Sequence, residues 1–189
     1  TVQGIGAKLT IGNFGGQSAI NVDDGVDTTA RTVVLSDAAP GIGSITGLGA
    51  AEIDYNYAQT RSLNLTLGVG GNTVEVFSTG APISLLGGWV YGLPIIKTLA
   101  ASSSSIIPIL FKHGGPDTIN VGPNGTVQNI HGSLSIENAW GSDTINVNDN
   151  SDPTARTVTL DTTTPASDPA AYGTIAGLAP ATISYEYDD

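Results

Sequence analysis

Cysteine and methionine are both absent from the 189-residue chain, and aromatic residues make up only 6% of it. Without cysteine there is neither a disulfide framework nor a thiolate metal site. The lack of Met at position 1 leads us to expect a processed or excised piece, and a signal peptide once removed would leave no trace. With so few aromatics, a core must be built from Ile, Val, Leu and Ala, and a hydrophobic content of 40% is enough to build one. Basic residues are scarce as well: 6 against 17 acidic ones, for a net charge of −11. Such a surface repels nucleic acid and anionic lipid and attracts divalent cations. Gly (25) and Pro (10) follow no fixed period, which excludes a collagen-like chain. Nor is there an unbroken apolar run of the roughly 20 residues a membrane span needs. The best candidate, residues 83–111, is interrupted by Gly87-Gly88, Pro94, Ser102 to Ser105 and Pro108.

What the chain has is repetition. Thr1-Val-Gln-Gly-Ile5 returns as Thr126-Val-Gln-Asn-Ile130, Leu9-Thr-Ile-Gly-Asn13 as Leu134-Ser-Ile-Glu-Asn138, and Ile20-Asn-Val22 as Ile145-Asn-Val147. The separation is 125 residues each time, and residues 1–35 and 126–160 agree at 19 of 35 positions, too many for chance. A five-residue insertion follows in the second copy. Ile45-Thr-Gly-Leu48 then matches Ile175-Ala-Gly-Leu178, and Ile53-Asp-Tyr-Asn-Tyr57 matches Ile183-Ser-Tyr-Glu-Tyr187. We read residues 1–125 as one full repeat and 126–189 as the first half of a second, continuous with it. A chain that stops mid-repeat reads as a window cut from something longer, or as a subunit whose neighbour completes the unit.

Within each copy apolar residues alternate with Thr, Asn, Ser or Glu, as in Leu63-Asn-Leu-Thr-Leu67, Asn72-Thr-Val-Glu-Val76, Asp117-Thr-Ile-Asn-Val121 and Thr157-Val-Thr-Leu160. A period of two means strands with one buried and one wetted face. They recur every 10 to 13 residues or so between Gly, Asn, Asp and Pro, which supply turns. No helical stretch is expected before residue 83. Short strands at near-even spacing suit a sandwich, a barrel or a solenoid, and the nested repeats favour the solenoid, in which each coil covers the open face of its neighbour. The expected fold is all-β: a right-handed parallel β-solenoid, or β-helix, built from the 125-residue repeat, with tandem antiparallel β-sandwiches as the alternative. Residues 83–111 have no counterpart in the other copy and carry one charge, Lys97. We expect an inserted apolar element there, packed on the wall or docking a neighbouring subunit through Trp89, Tyr91, Leu93, Ile95, Ile96, Ile106, Ile107, Ile109, Leu110 and Phe111.

Each repeat also carries an acidic turn, Asp23-Asp-Gly-Val-Asp27 and Asn148-Asp-Asn-Ser-Asp152. Calcium takes six to eight oxygens, so Asp23, Asp24, Asp27, Asn148, Asp149 and Asp152 are candidate Ca²⁺ ligands. The other reading is structural: Asp and Asn hold the turn through nearby backbone N–H groups, and Arg31 and Arg156 pair with the carboxylates. No Glu closes a twelve-residue loop in the EF-hand manner. No Ser/His/Asp arrangement, phosphate-binding loop or dinucleotide fingerprint is present. Asp23 and Asp24 do not make a glycosidase pair, because adjacent strand residues point to opposite faces. His113 and His131 stand isolated. Asn64-Leu-Thr66 and Asn124-Gly-Thr126 match the N-glycosylation sequon.

Gly114-Gly-Pro-Asp-Thr-Ile-Asn-Val-Gly122 and Gly141-Ser-Asp-Thr-Ile-Asn-Val147 resemble degenerate forms of the RTX calcium nonapeptide. They stand 26 residues apart rather than consecutively and lack its second turn glycine. More broadly, the order of strand, D-D-x-x-D turn, A-R-T-V-x-L strand, I-T-G-L, tyrosine strand, L-N-L-x-L-G and G-G-x-D-T-I-N-V resembles tandem repeats of very large secreted or cell-surface bacterial proteins. The resemblance covers most of 1–80 and 114–189. It implies a right-handed β-solenoid, an extracellular or cell-surface location, a role in adhesion, matrix or surface assembly, and no catalytic residues. The expected function is therefore a non-catalytic structural module of a fibre or adhesin that stacks end to end with copies of itself. A calcium-binding RTX-like surface module and a β-helix that binds or cleaves surface polysaccharide are the alternatives.

Overall fold

A computed structural model describes residues 1–88, 115–137, 142–164 and 171–186. The ten residues from Trp89 to Phe111 assigned above as an interface lie outside the described residues, as does His113. The described part is all-β. Its strands are β1 (Leu9–Ile11), β2 (Ser18–Asp23), β3 (Thr32–Ala39), β4 (Ile42–Thr46), β5 (Ile53–Asn56), β6 (Thr60–Thr66), β7 (Thr73–Val76), β8 (Ile83–Leu86), β9 (Thr118–Val121), β10 (Leu134–Glu137), β11 (Thr144–Val147), β12 (Thr159–Thr163), β13 (Tyr172–Ala176) and β14 (Ile183–Glu186). A single 3₁₀ turn, Tyr57–Gln59, joins β5 to β6, with the Asn56 side chain accepting from the Gln59 N–H at its start.

The strands form two mixed seven-stranded sheets, ordered β1-β5-β4-β3-β7-β9-β11 and β12-β13-β14-β10-β8-β6-β2. From β6 to β11 the chain alternates between them, so strands next to each other in sequence lie in different sheets. Strands two apart pair in parallel: Leu63 with Ile83, Ile83 with Leu134, Val74 with Ile119, and Ile119 with Ile145. These four pairings contain no register slip. Period-two patterning makes this possible, because a slip of one residue would turn every Leu, Ile and Val outward. Leu63, Leu65, Val74, Val76, Ile83, Leu85, Ile119, Val121, Leu134 and Ile136 are all at most 2% exposed and form one continuous core between the sheets.

Antiparallel pairing enters at two places that the sequence reading assigned to parallel coils. Strands β3, β4 and β5 make a meander in the first sheet, and β12, β13 and β14 make one in the second. The reason is the length of the connections: two residues join β3 to β4, and six to eight join the other pairs, fewer than the dozen or so a parallel crossover needs. In each meander a glycine lies directly opposite a tyrosine, Gly43 opposite Tyr55 and Gly173 opposite Tyr185. The ring covers the bare glycine so closely that no side chain fits there. In both copies the first strand closes the meander in parallel, Leu9 beside Ile53 and Leu134 beside Ile183. The two copies thus share one local topology but place their meanders in opposite sheets.

One strand differs from its expected position. The alternation of Thr157 to Leu160 marks a strand there, yet β12 begins at Thr159 and has only β13 as its neighbour. Its counterpart β3 starts at Thr32 because β7 pairs with it from Thr32 onward. Without a partner of that kind among the described residues, Thr157 and Val158 have no ladder to join.

Gly47 adopts φ +79° and Gly177 φ +82°, each in the Gly-Leu that ends the meander's second strand. A Cβ at either would strike a backbone carbonyl, that of Thr32 or Thr157. Gly47→Ala therefore meets both left-handed strain and a backbone clash, and we expect it to cost about 2 kcal/mol or more. Urea unfolding followed by circular dichroism measures this; a midpoint unchanged from wild type would contradict the geometry.

Candidate functional site: acidic turns and a carboxylate ladder

The two acidic turns adopt the same internal bonding. The Asp23 carboxylate accepts from the Gly25 N–H at 2.8 Å, and the Asn148 amide oxygen accepts from the Asn150 N–H at 3.2 Å. Asp27 accepts from the Thr29 N–H and pairs with Arg31 at 2.7 Å; Asp152 accepts from the Thr154 N–H and pairs with Arg156 at 2.6 Å. The backbone N–H first, and the guanidinium second, hold both carboxyls below the usual range. Arg156 also comes within 4.0 Å of Asp149.

Asp24 and Asp149 form a clasp that sequence reading missed. Asp24 is fully buried and accepts from the Val2 N–H (3.1 Å) and the Gln3 side-chain amide (2.9 Å), which also donates to the Leu48 carbonyl (2.7 Å). Asp149 does the same with Val127, Gln128 and the Leu178 carbonyl. The signal was present in the repeated Thr-Val-Gln at residues 1–3 and 126–128. The candidate calcium ligands are thus gathered residue by residue into turns, but each carboxylate already accepts bonds from its own chain. Among the described residues, no group of three or more His, Cys, Asp or Glu is arranged to hold a metal ion.

A second constellation joins neighbouring strands of the first sheet. The residue just before β3, β7, β9 and β11 is Arg31, Asn72, Asp117 and Asp143 in turn. The Arg31 N–H donates to the Asn72 side-chain oxygen (3.1 Å), the Asn72 N–H to Asp117 Oδ1 (2.5 Å), and the Asp117 N–H to Asp143 Oδ1 (3.1 Å). Asn72 donates its Nδ2 to the Gly68 carbonyl and to Asp117 Oδ1. Asp117 is 2% exposed, and its Oδ2 has no hydrogen-bond partner among the described residues. Burial, with Asp143 adding repulsion, pushes its carboxyl up to about 6 despite the bonds from Asn72.

Elsewhere, Lys8 bridges Asp54 (2.8 Å) and Glu52 (3.2 Å) beside edge strand β1, and the Ser44 hydroxyl donates to Glu52. These contacts raise the Lys8 ammonium, through Asp54 first, and lower Glu52, through Ser44 first. The Tyr57 hydroxyl donates to Asp37, and burial raises the Tyr57 phenol. The outer faces carry rows in register: Thr32, Thr73, Thr118 and Thr144 on the first sheet, Asn21, Asn64, Ser84, Ser135 and Ser184 on the second. Within such rows Asn64 donates to Asn21 (2.7 Å) and Asn146 to Asn120 (2.8 Å). His131 is exposed, and Asn124 of the second sequon is exposed too. No described helix is long and apolar enough to cross a membrane. Comparison with family models, curated proteins and solved structures finds no match.

Asp117 generates a prediction. Its folded-state pKa lies above the ordinary 3.8, so its unfavourable contribution is absent below about pH 4 and complete above about 6. The lowered Asp27 and Asp152 act oppositely, stabilising at neutral pH and losing that effect as acid protonates them. Asp117→Asn would give position 117 the amide that Asn72 uses one coil earlier, able to accept from Asn72 and donate to Asp143. We expect D117N to gain roughly 1 kcal/mol at pH 7.5 and nothing at pH 4. Denaturant unfolding at the two pH values checks it, and a loss at pH 7.5 would contradict it.

Proposed function

We propose that this chain is a non-catalytic structural module of an extracellular or cell-surface fibre. It would be a right-handed parallel β-solenoid that joins lengthwise to copies of itself through open strand edges. One observation carries the reading: six successive strands, β6 to β11, alternate between two sheets and stack in parallel on their predecessors, leaving β1, β2, β11 and β12 as the outermost of the described strands in the two sheets. Edge strands offer rows of backbone N–H and C=O groups that template further pairing. The right hand follows from the strong preference of parallel crossovers. Side chains support the same reading. The turn carboxylates, the Asp24 and Asp149 clasps and the Asn72–Asp117–Asp143 ladder all connect one part of the scaffold to another. The polysaccharide-cleaving alternative has less support, because Asp24 is sealed inside and Asp27 and Asp152 are bound to arginines.

The test is assembly. Sedimentation velocity and negative-stain electron microscopy at rising concentration should show lengthwise growth. The turns are already closed by the chain's own donors, so growth should be the same with millimolar calcium or with chelator. A monodisperse monomer throughout would overturn the assembly reading, and growth only with calcium would favour a calcium-dependent module instead.

A further inference from the structure

The repeat permits a comparison of each core residue with its own counterpart, and the two copies differ at one end. Leu35 is fully buried but Leu160 is 73% exposed; Val33 is fully buried but Val158 is 41% exposed. Ile20 and Val22 are buried, whereas Ile145 and Val147 are only half-buried. Ile45 and Leu48 are each 1% exposed, whereas Ile175 and Leu178 are half-buried. Asp24 is sealed and Asp149 is not. These differences converge on the β11/β12 end.

What covers the first copy is known in detail. Strand β6 lies on β2 and β7 on β3, with Leu63 beside Ile20, Leu65 beside Val22, Val74 beside Val33 and Val76 beside Leu35. The connection between β6 and β7 wraps the acidic turn: the Asp24 N–H donates to the Thr66 carbonyl, the Val69 N–H to the Asp27 carbonyl, the Thr73 N–H to the Arg31 carbonyl, and the Phe77 N–H to the Leu35 carbonyl. Gly68 and Gly70 are what let it approach, since a Cβ on either would strike residues 27–30. The turn it wraps is repeated at 148–156 with the same internal bonds.

We propose that the β11/β12 end is a binding site for one coil with the pattern of residues 60–79, an alternating L-N-L-T-L strand, a Gly-rich turn and a T-V-E-V strand, docking in parallel. The register is fixed by the first copy. The incoming Leu63 and Leu65 lie on Ile145 and Val147, the incoming Val74 and Val76 on Val158 and Leu160, and the incoming Asn64 extends the row through Asn146 and Asn120. A whole second copy of the chain does not supply this coil, because its own β6 and β7 each have neighbours on both edges. The occupant is therefore a coil of this repeat that is not already paired on both edges. The proposal rests on the stacked-coil reading above but not on self-assembly.

The experiment uses the full chain and a fluorescently labelled synthetic peptide of residues 60–79, read by anisotropy. Saturable binding is expected. Leu160→Glu, at an exposed position that leaves the core intact, should weaken it roughly tenfold or more, while Leu9→Glu at the opposite end should leave it unchanged. A control peptide in which Leu63 exchanges with Asn64 and Leu65 with Thr66 puts the apolar set on the wrong face, and it should not bind. No saturable binding, equal binding of the control, or sensitivity to Leu9→Glu in place of Leu160→Glu would each overturn the proposal. Its failure is separable from that of the assembly reading: peptide binding by a chain that stays monomeric sinks only the latter, and fibres indifferent to the peptide sink only the former.

Discussion

The stack of strands β6 to β11 depends on alternate side chains meeting their counterparts one strand away, in parallel and without slip. A strand of this kind cannot bury its own apolar face. Val74 is shielded because Val33 and Ile119 flank it in register, and Leu63 because Ile20 and Ile83 do. Burial of each such side chain is worth about 2 kcal/mol, and a slip of one residue would forfeit the set together. The outer rows of Thr, Asn and Ser obey the same register, and their hydrogen bonds reward it. Asn64 to Asn21 and Asn146 to Asn120 are the water-side image of the leucine and isoleucine stacks inside.

The polar interior follows the same constraint. Residues just before the strands of the first sheet sit one above another, so a short polar side chain there can accept from the N–H of the residue stacked on it. Arg31, Asn72, Asp117 and Asp143 are linked in that way. Asn at this position satisfies both its own groups and its neighbours', whereas Asp at 117 keeps an oxygen in the interior with no donor among the described residues. The acidic turns solve a different problem. The chain must change direction between sheets, and Asp27 with Arg31, or Asp152 with Arg156, forms an ion pair across that corner.

Much of this was legible in the sequence. The period of two gave the strands and their inward residues, and the 125-residue offset anticipated two copies of one local topology. Pairing of the turn carboxylates with Arg31 and Arg156 was one of the two readings the turns offered, and both pairs are formed. Other features were hidden for physical reasons. Ile42–Thr46 and Ile53–Asn56 read like any other strand, and it is the short connections before each, of two and six residues, that make them antiparallel. The Asp24–Gln3 clasp joins residues 21 apart, and the Asn72–Asp117 bond joins residues 45 apart. Such pairings depend on how many residues each coil takes, which alternation alone does not reveal. The apolar stretch 83–111 read as an insertion without a partner, yet its first residues, Ile83–Leu86, are strand β8, paired in parallel between β6 and β10; the docking surface expected from Trp89 to Phe111 lies outside the described residues.

The central claim is that strands two apart in sequence are immediate, parallel neighbours. Magic-angle-spinning NMR on uniformly labelled protein tests it directly, and it serves for a monomer or a fibre. The account predicts methyl contacts from Val74 to both Val33 and Ile119, and from Leu63 to both Ile20 and Ile83. Ladders joining β6 to β7 and β8 to β9 as successive hairpins, with these contacts missing, would contradict it.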